Sequence, residues 1–173
     1  MDDVVPGDAT LAPAVQVLFD LPQEGDWPPV SSEPLGALLV AHDTAQLQES
    51  PFFARHVAKG DLLRVRSSED GSWQPVERLK PSGSCTIRIV PFRKGPLSGS
   101  RERVLDAFAP LGVSGKGHGR FRIVALDVPS TVDLVATKRV LYDGVDAGWW
   151  DYEEGCLTDA WLATEPDRGW SGE

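Results

Sequence analysis

The sequence predicts an α+β protein in two parts: a small β-barrel or rolled sheet over residues 14–81, packed on a ferredoxin-like α/β sandwich over residues 82–163. Three observations lead there. Apolar residues recur with a period of two through the first half, broken up by Pro and Gly. Helical periods occur only after Pro81-Ser82-Gly83. From that point strand, helix, strand, helix and strand follow one another over about 75 residues, the outline of a split βαβ sandwich. Residues 1–13 and 164–173 are expected to be flexible ends.

Val15, Val17, Phe19 and Leu21 alternate with Gln16, Leu18 and Asp20, a half-buried strand. Pro22 to Pro34 holds four prolines around Trp27 and reads as a long loop or a wrapped extended stretch, because proline offers no N–H to a ladder. Gly36 to His42 is the next strand. Asp43 to Ala58 is polar and ends in Pro51-Phe52-Phe53-Ala54, a loop or short helical turn whose aromatics need cover. Lys59-Gly60-Asp61 turns into Leu62 to Arg66, and Glu69-Asp70-Gly71 signals a hairpin to Ser72–Lys80.

In the second half Cys85, Ile87 and Ile89 alternate with Thr86, Arg88 and Val90 as a strand. Ser100 caps a helix to about Leu111, with Val104, Leu105, Phe108 and Leu111 on one face. Gly112 to His118 supplies a short strand and Phe121 to Val128 a strong one. Ser130 or Thr131 caps a second helix, along which Leu134, Lys138, Leu141 and Val145 follow the helical period. Trp149 to Leu157 returns as a strand, with Trp150 and Tyr152 on one face and Trp149 on the other. In such a sheet Cys85 and Cys156 should lie close together, as reduced, core-side thiols.

Composition narrows the function classes. Lys and Arg number 17 against 26 Asp and Glu, a formal charge of −9. A duplex binder needs a basic footprint, so nucleic acid is not expected, nor is an anionic membrane. A basic or neutral peptide suits the charge better, and a solvated acidic surface with no partner explains it equally well. No signal peptide is visible, and the longest apolar run, Ala37 to Ala41, cannot span a bilayer. Two cysteines and no C-x-x-C point to a reducing cytoplasm.

Each enzyme-like signal fails on order, spacing or charge. The stretch Gly112 to Gly119 is rich in glycine and carries Lys116, but it lacks a G-K-[ST] end and lies between a helix and a strand, the reverse of a phosphate loop. A hairpin explains it; phosphate binding is the alternative. His42, His56 and His118 have no His or Cys at metal-ligand spacing. Cys156 follows Glu153-Glu154-Gly155, an acidic setting that raises a thiol pKa. The acidic set Asp143, Asp146, Asp151, Glu153, Glu154 and Asp159 matches no calcium loop. No catalytic residue, metal or cofactor is therefore assigned. The aromatics remain. Trp27, Phe52, Phe53, Trp73, Trp149, Trp150 and Tyr152 are the candidate peptide-binding residues, working as pockets beside a free strand edge. Core packing is the alternative for each.

Several motifs also resemble a small bacterial domain-of-unknown-function family. They are Phe19-Asp20-Leu21-Pro22, Trp27-Pro28-Pro29-Val30-Ser31-Ser32-Glu33, Pro51-Phe52-Phe53-Ala54 with Gly60-Asp61, Ala125-Leu126-Asp127-Val128-Pro129, and Trp150-Asp151-Tyr152-Glu153-Glu154-Gly155 running into Cys156. The resemblance covers about residues 15–160, and its motifs look structural. Some relatives of this kind look similar to peptide-recognition accessories of ribosomal-peptide (natural-product) biosynthesis. The expectation is a non-enzymatic peptide-binding accessory, presenting a ribosomal precursor peptide, through its leader, to modifying enzymes. The alternatives are a small-molecule enzyme using the cleft between the halves, with Asp151, Glu153 or His118 as acid or base, and a regulator or immunity-type protein partner. Oligomeric state is left open.

Overall fold

The computed structural model describes residues 11–166; the remainder of the expected flexible ends, 1–10 and 167–173, lies outside these. The first five strands, β1 (Ala14–Asp20), β2 (Ser32–Ala41), β3 (Thr44–Leu47), β4 (Leu62–Ser67) and β5 (Trp73–Lys80), close into a barrel. Neighbours run antiparallel, and closure comes from a parallel contact of Val17 with Trp73. The period-two pattern fills the interior: Val17, Phe19, Leu35, Ala37, Ala45, Leu47, Leu63 and Val65 are all buried there.

Two expectations in this half need correcting. Strand β2 starts at Ser32, so its first residues belong to the proline-rich stretch, and Pro34 pairs with Leu18 inside the ladder. The bonded pairs of β1 and β2 fall at odd residues, as Leu21 N–H to Ser31 C=O and Leu39 N–H to Pro13 C=O show. Pro34 therefore faces away from β1, toward a neighbour that pairs only from Ala37 onward, and its missing N–H costs nothing. The polar segment after Asp43 also contains a strand, β3. Only Ala45 and Leu47 point inward, and the glutamines around them hide the alternation. The hairpin between β4 and β5 forms as expected: Gly71 takes φ +83°, and Asp70 accepts from both the Ser72 N–H and hydroxyl.

The second sheet holds β6 (Cys85–Pro91), β7 (Ser114–Gly117), β8 (Val124–Val128) and β9 (Trp150–Cys156) in the order β7-β8-β6-β9, antiparallel throughout. Helix α1 (Arg101–Phe108) connects β6 to β7 and α2 (Leu134–Asp146) connects β8 to β9. Ser100 caps α1, accepting from Arg103 N–H, and a 3₁₀ turn extends it to Leu111, where Gly112 at φ +80° ends it. The cap of α2 is Asp133, not Ser130 or Thr131, which lie in the turn after Pro129. Asp133 accepts from Ala136 N–H, and the acidic oxygen so close to the first turn outcompetes the earlier hydroxyls. The face of α2 that reaches the core is Thr137, Lys138, Leu141 and Gly144; Val145 is exposed. A short helix α3 (Asp159–Ala163), capped by Thr158, buries Trp161 against the same core.

Strand β8 begins at Val124 because Phe121 and Arg122 belong to the preceding turn. Trp149 precedes β9, so strand alternation does not place it opposite Trp150; its ring meets the Trp150 ring edge-on at 5.6 Å and joins the same core. Trp150 is fully buried, donating from Nε1 to Leu141 C=O at 3.0 Å. Thr86 is the register partner of Cys156, which brings Cys85 and Cys156 side by side as free, buried thiols. Among the described residues no helix is long and apolar enough to cross a membrane.

Candidate functional site

Barrel and sheet meet through buried charges. Glu33, near the start of β2, is buried, and its carboxylate accepts from three successive N–H groups: Phe52 at 2.6 Å, Phe53 at 2.9 Å and Ala54 at 2.8 Å. Residues 51–54 have no ladder of their own, and Glu33 supplies the acceptors that such a loop otherwise draws from water. On the sheet side, buried Arg88 donates to Ala54 C=O at 2.8 Å and pairs with Glu153, which also holds Arg55 at 2.6 Å. Asp61, fully buried, accepts from Ala58 and Ser82 N–H at 2.8 Å each and pairs with Arg78 at 2.7 Å. The His56 N–H bonds Gly155 C=O, and Thr86 bonds Val57 C=O. The loop that follows β3 is thus fastened at every turn.

The fastened loop presents aromatic rings. Phe53 meets Trp27 edge-on at 5.6 Å, Phe121 at 5.9 Å and the His118 imidazole at 5.9 Å. Phe52 stacks edge-on against His118 at 4.8 Å, and the Lys116 ammonium lies 4.9 Å from its centroid. Trp27 is set by a tight turn in which Glu24 and Trp27 exchange both backbone hydrogen bonds, and its bond to Pro28 is cis. Between these walls lies an open cavity of about 430 Å³, lined by the apolar side chains of Phe19, Leu21, Trp27, Pro28 and Phe53 and by the polar residues Asp20, Glu24, Arg55 and His56. That size falls in the range of ligand pockets. Trp27 remains 46% exposed, a large apolar surface at the rim.

The seven aromatic candidates divide accordingly. Trp27, Phe52 and Phe53 come together here. Trp73 closes the barrel wall beside Val17, while Trp149, Trp150 and Tyr152 pack into the second core, Tyr152 against Tyr142. The acid–base candidates are occupied. Asp151 accepts from the Tyr152 N–H, Glu153 holds two arginines, and His118 Nδ1 accepts from the N–H groups of Arg120 and Phe121, which puts its proton on Nε2. Burial lowers the His118 pKa; Glu33 opposes this, while Arg101, Lys116 and Arg120 reinforce it, so the neutral ring is favoured. The Cys156 thiol is pushed up, chiefly by burial, against the pull of the Arg78 guanidinium; Asp61, not Glu153 or Glu154, adds the acidic contribution. Lys116 pairs with Glu49 at 3.1 Å, and Glu154 accepts from Trp161 Nε1. Among the described residues no three His, Cys, Asp or Glu side chains gather closely enough to hold a metal.

The residues that build the site and were not singled out as candidates are Glu33, Arg88, Phe19 and Phe121. Glu33 stood inside the quoted Trp-Pro-Pro motif, and an acidic residue entering a strand next to proline was its signal.

The model of a domain-of-unknown-function family, DUF4265, matches residues 33–152, from the buried Glu33 to Tyr152. The chain belongs to this family. The DUF4265 match takes in the fastened loop, Arg88, His118 and most of the second sheet, and leaves Phe19 and Trp27 outside. A crystal structure described as that of a hypothetical protein from Neisseria gonorrhoeae superposes with a TM-score of 0.65 at 21% identity, over 85% of this chain and 96% of that one. At that identity the likeness is one of fold. No curated protein matches the chain.

Proposed function

We propose that this DUF4265 protein works by binding rather than by catalysis, and that it takes a peptide whose apolar or aromatic side chain enters the cavity between Trp27 and Phe53. One observation carries the reading: the segment Phe52-Phe53-Ala54 is held by three N–H bonds, one from each residue, to a buried carboxylate beside an open cavity with an aromatic wall, and a half-exposed tryptophan stands at its rim. A rigid aromatic wall loses little entropy on binding, which is what an anchor pocket needs. The groups that an enzyme would use are engaged: Asp151 and His118 accept from backbone N–H groups, and Glu153 pairs with Arg55 and Arg88. An extended peptide would have a sheet edge nearby in β7, which His118 follows.

Presentation of a ribosomal precursor peptide to modifying enzymes is supported by the motif resemblance alone. The ferredoxin-like reading of the second sheet is supported by its strand order and its two crossover helices, and the division into units at 14–81 and 82–163 by the two separate cores. A cytoplasmic location is supported by the two free cysteines.

The test is selection of peptides from a display library on the full chain, with Trp27→Ala as the counter-target. Trp27 is half exposed, so its removal leaves the barrel core intact. Enrichment of peptides with an aromatic or large aliphatic anchor that bind the Trp27→Ala protein at least about tenfold more weakly is expected. No enrichment, or equal binding to the variant, refutes the pocket.

A further inference from the structure

The chain is acidic, yet residues 93–122 hold seven Lys or Arg against two acids, Glu102 and Asp106. The fold gathers this segment onto one face. Arg101 Nη1 donates to the carbonyls of His118 at 2.6 Å and Phe121 at 2.7 Å, which ties the start of α1 to the turn between β7 and β8. Gly99, at φ +72°, packs so closely that a Cβ would lie 2.8 Å from Cδ of Arg122 and 3.4 Å from Cα of Arg93. Arg103 Nη1 donates to Pro96 C=O at 3.0 Å. Among the described residues, none of Arg93, Lys94, Arg101, Arg103, Arg120 and Arg122 has a carboxylate at ion-pair distance, whereas Arg55, Arg64, Arg78 and Arg88 each do. Guanidinium groups anchored by carbonyls are oriented without being neutralised, and Arg122 Nε is a buried donor lacking an acceptor.

This face begins one ring from the cavity. Arg120 lies 5.2 Å from the centroid of Phe121, and Phe121 contacts Phe53, which lines the pocket. We infer that the ligand is an acidic peptide segment, with its apolar anchor between Trp27 and Phe53 and its carboxylates along the face built from residues 93–103 and 116–122. The inference rests on the peptide-binding reading above and reverses the charge that composition suggests for the partner: net charge describes the whole surface, whereas this basic face lies beside the cavity, whose own lining includes Asp20 and Glu24. Carboxylates fit better than a nucleic-acid backbone. A long polyanion runs off this face onto a surface more acidic than the chain average, while a short segment stays within the roughly 8 Å over which charges act at physiological salt.

The experiment is calorimetric titration of the full chain with three peptides of equal length around one central Phe, flanked by Glu-Gly, Gln-Gly or Lys-Gly repeats. The Glu peptide is expected to bind at least about tenfold more tightly than the Gln peptide, with the gap shrinking as salt is raised. The exposed double reversal Arg93→Glu/Lys94→Glu, and separately Arg120→Glu, should close most of that gap and leave the Gln peptide unchanged. Equal affinity for Glu and Gln peptides, or no effect of the reversals, overturns the acidic partner while the pocket stands. A single-stranded oligonucleotide that displaces the Glu peptide and binds more tightly also overturns it. Absence of binding by all three peptides sinks both readings.

Discussion

Removing the Glu33 carboxylate tests the architecture of the site most directly. Glu33→Ala leaves three N–H groups without their acceptor. Those of Phe53 and Ala54 are in fully buried bonds, while that of Phe52 is partly open to water. Hydrogen bonds to a charged group contribute about 1.5–3 kcal/mol each, and buried donors left bare cost about 1–3 kcal/mol each. Counting the two buried bonds in full and allowing the loop to relax gives a loss of about 3–5 kcal/mol, a large part of the roughly 5–15 kcal/mol that holds a native domain. With a urea m value of about 2 kcal/mol/M, the unfolding midpoint should fall by about 2 M. Glu33→Gln keeps one acceptor oxygen and should lose about half as much, which also provides a readout if the alanine variant does not fold. The assay is urea denaturation followed by tryptophan fluorescence and by far-ultraviolet circular dichroism. A midpoint shift below about 0.5 M for Glu33→Ala, at unchanged m, would show that the loop is not held by this carboxylate.

Two further outcomes are expected. Gly144→Ala in α2 should reverse the usual sign of a helical glycine replacement: propensity alone favours alanine by about 1 kcal/mol, but the new Cβ would lie 2.1 Å from the buried Trp150 ring, so a loss of at least about 2 kcal/mol should appear in thermal denaturation; a gain would mean that Trp150 does not pack there. Glu49 has its pKa lowered, first by the Gly36 N–H and then by Lys116, against partial burial. A depressed carboxylate pKa stabilises fully above the ordinary carboxylate range and ceases to do so as pH falls through the folded value. Wild-type and Glu49→Gln melting temperatures should therefore differ at neutral pH and converge in acid; a difference independent of pH contradicts the assignment.

Much of the fold was legible because its signals are local. The alternation of β1, the Asp70-Gly71 turn and the Ser100 cap each depend on residues within a few positions of one another. The α2 cap failed between near neighbours, Asp133 displacing the hydroxyls just before it, but the strands that were misread depended on neighbours distant in sequence. Pro34 is tolerated because of where the next strand begins, and β3 is a strand because β2 and β4 flank two inward residues. The site follows the same division. Its aromatics could be picked out by type, but Phe52 meets Glu33 across nineteen positions, and Phe53 meets Phe121 from the turn that precedes β8. Periodicity carries no information about such pairings, so Trp27 and Phe53 could not be separated beforehand from Trp150, an equally conspicuous ring that holds α2 in place.

The buried charges bear on function through what they do not leave free. Burying a carboxylate or a guanidinium is costly, and an apolar pair of similar volume often stabilises as well or better. Glu33, Asp61 and Arg88 gain something an apolar residue cannot supply: each bonds main-chain groups of residues 52–58, the segment that carries Phe52, Phe53 and Arg55. Stability alone needs only that this loop be covered. Three ions set on the direction of its backbone are best explained by a requirement on where its side chains point, and the segment they hold carries Phe53, the wall of the open cavity. A catalytic carboxylate needs a free oxygen, and Glu33 has given three bonds to the loop. The charge at this seam serves position, as the proposed recognition surface requires.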